Sequence, residues 1–416
     1  MGMLTEKILT SPLVAAFVTF AVRLLVYNFI DYISLPYHFG ITTPNTGAEV
    51  WKEAVFWKHH FGAVPEFLGG IAPWYAEYIP VAPSMVYVIL LCFFDAVTAF
   101  FVSQWPSAMP QITFSLFVLN PVMIFLPVLE SLAPVEHFLL ALLIQCCLGR
   151  RKRPYLIYVA RLVQPILGFS FIALIVALWF PVGTPSPRIG LMASLLGAVG
   201  VGGLGLVYLW YWGTLGDKTS LYAPPDNGVM WYVRLLILPA FGRCIDVFQI
   251  QLPAVITLPL ALALPAEVQE SKRVQRSSIP GDRRSFLVLF AICVSKLCRC
   301  NIALSDYSLG VLFLYSLLEV SDKQSKENRK ITMFERMRKA NIFVPVYTLL
   351  LVVPLQHSFY TGWVMWDTAN PNWVFFPQVA FVTLGSIFLL IFLNVAVDAI
   401  KAEIEVDAMK NEKEEG

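Results

Sequence analysis

Apolar runs of membrane-crossing length recur along this chain, separated by short polar or basic stretches. A helix needs about 20 residues to cross the hydrocarbon core, so each run predicts a span. The first is Pro12 to Ile30, and the second is 81–103. Between Met85 and Val102 the only charge is Asp95. The third, "ITFSLFVLNPVMIFLPVL", carries Asn120-Pro121 at its centre. It should kink or break there, because proline lacks an N–H and clashes with the preceding turn. The fourth ends at Arg150. Residues 154–180 read either as one tilted helix or as two short halves broken near Pro165. That choice sets the side of the loop 213–228. Spans near 285–300, 302–318, 342–358 and 373–398 follow. The sum is an all-α polytopic membrane helix bundle of about 11–12 spans.

The longest stretch between spans is 31–80. Within it, "EVWKEAVFWKHHF" predicts a short amphipathic helix on the membrane surface. The chain divides into a single transmembrane helical domain over 1–398 and an acidic tail over 399–416. The first span is expected to be retained as an anchor, because "MGMLTEK" and Arg23 do not make a cleavable signal.

Composition strengthens the membrane reading. Of the 416 residues, 57% are hydrophobic and only 14% charged, against about 25% charged in soluble domains. Mean hydropathy is +0.68. Net charge is +2, so no basic field argues for nucleic acid. Positive charge clusters at Arg150-Arg151-Lys152-Arg153, across Lys272 to Arg284, and across Lys323 to Lys339, which marks cytoplasmic loops. Cys92, Cys146, Cys147, Cys244, Cys293, Cys298 and Cys300 lie in or beside apolar segments without a CxxC, and read as buried small hydrophobes.

Candidate chemistry is sparse. "GVGGLG" at 200–205 matches a dinucleotide-binding pattern by letters only; in an apolar span its glycines serve helix packing. The histidines are His38, His59, His60, His137 and His357, with no HExxH; no metal or cofactor is expected. His59 and His60 lie near Glu49 and Glu53 and read as a solvated or interfacial face. No nucleophile elbow is present.

The intramembrane polar residues are Arg23, Asp95, Asn120, Glu130, Glu136, Asp246, Lys296, Asp306 and His357. A charge at the bilayer centre costs ~2.5–3.5 kcal/mol, so each should face protein or a wet cavity. Arg23, Asp95 and Asn120 are expected to be structural, with Arg23 a candidate partner for Asp95. Arg234, Arg243, Lys296 and Arg299 lie near enough to an interface to snorkel. "WDTANPNWVFF", 366–376, sets Asn370 and Asn372 around Pro371 where a loop meets the last span. Its amides suit a sugar or phosphate head group, and Trp363, Trp366 and Trp373 suit an interface or a sugar face. A helix N-cap with an aromatic belt explains the same residues equally well.

Several stretches, in order, resemble one family. "AVRLLVY" and "FIDYIS" come first. "FFDAVTAFF" is similar to a D-A-x-T-A span, and "LNPVMI" to an L-N-P segment. "DNGVMWY" is similar to P-N-x-G-L-x-W-Y, and "DVFQIQLPAVITLPLALAL" to V-F-Q-I followed by I-P-L-A. "GWVMWDTANPNWVFF" is similar to A-N-S-N-F-F. The family is the phosphatidylinositol glycan class U protein, the polytopic subunit of glycosylphosphatidylinositol (GPI) transamidase.

That resemblance implies a noncatalytic subunit in the endoplasmic reticulum membrane, with a fold similar to membrane mannosyltransferases. It implies a separate cysteine-protease-like catalytic chain, other transamidase subunits and the GPI lipid as partners. Lipid contact would fall on Asn370, Asn372, His357 and Trp373. It also favours 154–180 as a broken re-entrant pair and 210–229 on the lumenal side; the 31–80 loop is expected to be lumenal and the 399–416 tail cytosolic. Two departures mark divergence: "LLILPAF" lacks the family's glutamate, and Val311 stands where aspartate is expected. Two other classes compete. A lipid-linked mannosyltransferase would use Asp31, with Glu49 and Glu53 following, although no D-x-D occurs. A transporter would use Asp95 and Asp306 as coupling carboxylates, but no internal repeat is evident.

Overall fold

The computed structural model describes residues 11–29, 41–43, 46–65, 78–105, 117–148, 230–236, 252–253, 255–257, 283–298, 302–308, 310, 354–355, 357–368 and 370–415. Among them the chain is helical and holds no strand. Helices α1 (Pro12–Asn28), α2 (Ala48–Phe61), α3 (Ser84–Ser103), α4 (Pro121–Val128) and α5 (Ala133–Leu148) form one packed group. Helix α6 is Met230–Leu236, α7 is Arg283–Leu297 and α8 is Pro371–Glu415. Two helical segments, Ser84–Ser103 and Pro371–Asn394, are long and apolar enough to cross a membrane. A third is added if the bent pair α4–α5 is one span. The predicted spans over 154–180 and 187–212 lie outside the described residues, as does all of 311–353.

Helix α1 opens with Pro12 in its first turn, where the missing N–H costs nothing. Ala15, Thr19 and Arg23 recur every four residues and form its buried stripe, while Leu13, Phe17 and Leu25 point outward. The small Ala15 and Thr19 let α1 approach α3 closely. Helix α3 buries Val88, Leu91, Cys92, Asp95, Ala99 and Val102 and exposes Met85, Val86, Ile89 and Phe93. Its two faces therefore separate at helical period, one toward protein and one apolar and outward.

The Asn120-Pro121 prediction falls on a real helix start. Asn120 is the N-cap of α4, and its Oδ1 accepts from Val122 N at 3.0 Å. Helix α4 is only eight residues long, too short to cross alone, and α5 leaves it at a bend of 119°. The predicted third and fourth spans thus end as a broken or re-entrant pair. Glu130 sits at the bend with φ 54. The bend is clamped from outside: Leu132 N donates to Thr46 O at 2.8 Å, and Trp51 Nε1 donates to Glu130 O at 2.9 Å. Lys52 pairs with the Glu130 carboxylate.

The amphipathic helix read in the sequence is α2. Trp51, Ala54 and Val55 pack with Tyr87, Leu91 and Leu132, while Phe56, His59, His60 and Phe61 are exposed. Gly62, with φ 78, ends the helix in the left-handed conformation that glycine adopts freely.

Helix α7 is buried on all sides. Every residue from Phe286 to Val294 is covered, as expected of a helix apolar around its whole circumference. Phe286 stacks on Phe392 of α8 at 5.2 Å. The span expected over 302–318 opens with a 3-10 turn, Leu304–Tyr307, and its continuation over 311–318 lies outside the described residues. Helix α8 starts at Pro371 and continues through the acidic tail to Glu415.

Candidate functional site

Two sequence stretches far apart meet at the start of α8. Trp231 and Tyr232, from "DNGVMWY", are on α6. Trp231 Nε1 donates to Gln378 Oε1 at 2.7 Å, a buried bond that spans 147 positions. Tyr232 Oη donates to Asn372 Oδ1, and its ring stacks on Phe375 at 4.1 Å. Trp231 also stacks on Trp363 at 6.0 Å. Trp231, Tyr360 and Val374 form the buried centre of this cluster.

The loop before α8 has an unusual backbone. Thr361–Met365 is a single π-helical turn, closed by Trp366 N donating to Thr361 O at 3.1 Å. Such turns are rare and concentrate at functional sites. Asp367 follows with φ 53, and Thr368 N donates back to Gly362 O at 2.9 Å. The chain then reaches Asn370, whose Oδ1 accepts from Asn372 N at 3.0 Å. That bond caps α8, and Pro371 fills the first helical position.

Asn370 is therefore a helix cap, and Asn372 is the second residue of the helix. Because Tyr232 donates to Asn372 Oδ1, the Asn372 amide NH2 is turned away from that tyrosine. Trp366, Trp373 and Phe376 are exposed around it. Trp373 meets Phe359 edge-on at 5.5 Å. His357 is half-buried, and its carbonyl accepts from Thr361 Oγ1 at 2.9 Å. Asn370, Asn372 and Trp373 thus share one aromatic surface, and His357 supports the turn beside it. The arrangement offers amide hydrogen bonds next to flat apolar faces, which suits a polar head group joined to an apolar body.

No family model and no curated protein matches this chain.

The other predicted polar residues form separate centres. Arg23 and Asp95 make a fully buried ion pair between α1 and α3. Arg23 also donates to Thr19 O at 3.3 Å, Val118 O at 3.2 Å and Phe117 O at 3.3 Å. Those last two carbonyls lie just before the Asn120 break, so Arg23 satisfies backbone that the break leaves without helical partners.

Lys296 corrects an expectation. It does not snorkel; its side chain is 3% exposed and bonded to Glu136 and Asp306. The apolar surroundings of α7 give its ammonium no route to solvent, so it pairs internally. The side chains of Arg234, Arg243 and Arg299 lie outside the described residues, as does Asp31. His59 and His60 are exposed on α2. No metal-binding group of His, Cys, Asp or Glu occurs among the described residues.

Trp231, Tyr232, Phe375 and Gln378 were not distinguishable as site residues from spacing alone. A signal for the first two existed, since "DNGVMWY" and "WDTANPNWVFF" are both aromatic stretches beside apolar runs. Nothing in the sequence joined them.

Proposed function

We propose that this chain is a noncatalytic subunit of GPI transamidase that scaffolds the complex and helps bind or present the GPI lipid. It is a multi-pass protein of the endoplasmic reticulum, a bundle of about 11–12 spans with a fold similar to membrane mannosyltransferases. The reading rests on the ordered resemblance of its stretches to the class U family. The observation that adds most is that two of those stretches meet through Tyr232 and Asn372. The amide of Asn372 and the exposed Trp366, Trp373 and Phe376 surround that junction. A GPI head group carries phosphates and sugar hydroxyls above acyl chains, so amides and aromatic faces match both of its parts. The peptide chemistry belongs to the separate cysteine-protease-like chain, and this chain needs no cofactor of its own.

The test is replacement of Asn370 and Asn372 together by alanine in cells that depend on this chain. Surface display of GPI-anchored reporters is expected to fall while membrane levels of the chain hold. Unchanged display would remove both residues from the lipid site.

A further inference from the structure

Helix α2 carries aromatic rings on the side turned away from the protein as well as on the side packed against it. Trp51, Ala54 and Val55 face Tyr87, Leu91 and Leu132. On the last two turns, Phe56 is 52% exposed and Phe61 is 64% exposed. Residues four apart on a helix are neighbours in one row, and two such rows are aromatic here. Phe56 meets His60 at 4.3 Å, and Trp57 meets Phe61 at 4.6 Å. Phe56 and Phe61 lie edge-on at 6.4 Å, which joins the two rows into one outward patch. The half-buried Trp57 donates its indole N–H to Glu53 Oε1 at 3.4 Å.

A helix on the surface of a soluble domain turns polar side chains outward. The outward side of α2 instead mixes phenylalanine and indole with the imidazoles of His59 and His60 and the Glu53 carboxylate. That mixture suits the head-group layer of a bilayer, where a ring finds apolar surroundings on one edge and water on the other.

The position of α2 along α3 says what surrounds the patch. Helix α3 is long and apolar enough to cross a membrane, and it begins at Ser84. Lys52 Nζ donates to Ser84 Oγ at 3.3 Å, and Trp51 meets Tyr87 edge-on at 5.0 Å. Tyr87 Oη donates to Pro80 O and accepts from Ala82 N, each at 2.7 Å, so the incoming chain is tied to the same turn. Helix α2 is therefore fixed at the first turn of the span, the level of a membrane boundary. Apolar exposure is continuous there: Tyr78 and Val81 are exposed just before the span, and Met85, Ile89 and Phe93 along it. The protein-facing side of α2 holds the α4–α5 bend, with Trp51 Nε1 on Glu130 O and Lys52 on the Glu130 carboxylate.

We propose that α2 is seated in the lipid head-group layer by its aromatic end, Phe56, Trp57, His60 and Phe61, and that this seat sets the height of the α4–α5 bend at the membrane boundary. The apolar face that an amphipathic pattern would lay on lipid is used on protein, so lipid contact falls to the opposite rows. The seat involves no residue of the cluster at the start of α8 and does not depend on a head-group site there.

The test uses the full-length protein in lipid nanodiscs. Phe61→Cys carrying a bimane fluorophore is compared with wild type put through the same labelling, which subtracts any native thiol. A nitroxide attached to the lipid head group should quench most of the added emission. Emission untouched by the nitroxide lipid would overturn the seat, and strong quenching by aqueous iodide would then hand the face to water or to a protein partner. Amide hydrogen exchange gives an independent arm. Phe56→Ala with Phe61→Ala leaves the buried side of α2 intact and keeps good helix formers. Amides of 48–61 should exchange roughly ten-fold faster in this variant, the scale of taking part of two phenylalanine rings out of an apolar layer. Those of 129–132 should follow. Phe56→Trp with Phe61→Trp should restore protection, because indole is favoured at the interface. Exchange over 48–61 equal to that of wild type would overturn the seat. Faster exchange confined to 48–61 would overturn its hold on the bend.

Discussion

Arg23 and Asp95 are 72 positions apart and form a buried ion pair at the contact of α1 with α3. The pair is asymmetric. Asp95 receives one guanidinium, whereas Arg23 serves Asp95 and three backbone carbonyls. Arg23 is thus the hub, binding α1 to α3 and to the chain entering the Asn120 break.

That asymmetry predicts the outcome of a mutant cycle. Asp95→Leu leaves a buried guanidinium without its counterion and should cost about 3–5 kcal/mol of stability. Adding Arg23→Met removes the stranded charge and should recover most of that loss. A residual deficit of about 1–3 kcal/mol should persist, because the carbonyls of Phe117 and Val118 lose their donor. Thermal unfolding in mild detergent reads all three variants. A double variant no better than Asp95→Leu would show that the pair is not the source of the cost.

The bend between α4 and α5 makes a backbone prediction. Glu130 holds φ 54, which glycine adopts freely and β-branched residues resist. Glu130→Gly loses only a partly exposed pair with Lys52 and should stay within about 1 kcal/mol of wild type. Glu130→Val should cost about 1–3 kcal/mol. The opposite order in thermal unfolding would mean that the Lys52 contact, not the backbone, sets the bend.

Trp51 supports the same bend from α2. Trp51→Phe keeps most of the packing on Tyr87 but loses the bond to Glu130 O, at about 1 kcal/mol. Trp51→Ala also leaves a cavity and should cost about 3–5 kcal/mol. Limited proteolysis near 129–132 should increase in the same order. Equal sensitivity of the two variants would separate α2 from the bend.

The two roles of Asn370 can be separated. Asn370→Ser keeps an N-cap oxygen for α8 but removes the amide, whereas Asn370→Ala removes both and should cost about 1 kcal/mol. If Asn370 also handles lipid, both variants should lower GPI attachment in a surface-display assay. Normal display with serine and a loss with alanine would reduce Asn370 to a cap. Tyr232→Phe frees Asn372 Oδ1 without touching the cap and should lower display through Asn372 alone.

Local chemistry was readable in the sequence where one residue decides the outcome. Asn120-Pro121 predicted a helix break, and "EVWKEAVFWKHHF" a short amphipathic helix, because proline geometry and helical period act over a few residues. Arg23 and Asp95 could be paired because each is an isolated charge in an apolar run. The Glu136–Lys296–Asp306 cluster could not be assembled that way. Its members are 160 and 10 positions from Lys296, and Lys296 near a helix end reads equally well as a snorkelling side chain. The meeting of Tyr232 with Asn372 was hidden for the same reason. Asparagine beside proline advertises a cap but not the tyrosine that orients its neighbour. The 119° bend depends on Thr46 and Trp51 from another segment, which no local pattern encodes.

The proposed role as a noncatalytic subunit beside a separate catalytic one can be tested biochemically. The most direct measurement is affinity purification of the full chain in mild detergent, with identification of what co-purifies and an assay for mannosyl transfer. Recovery with a cysteine-protease-like chain and further membrane subunits, without intrinsic glycosyl transfer, is the predicted result. Recovery of a monomer that transfers mannose from a lipid-linked donor would contradict it.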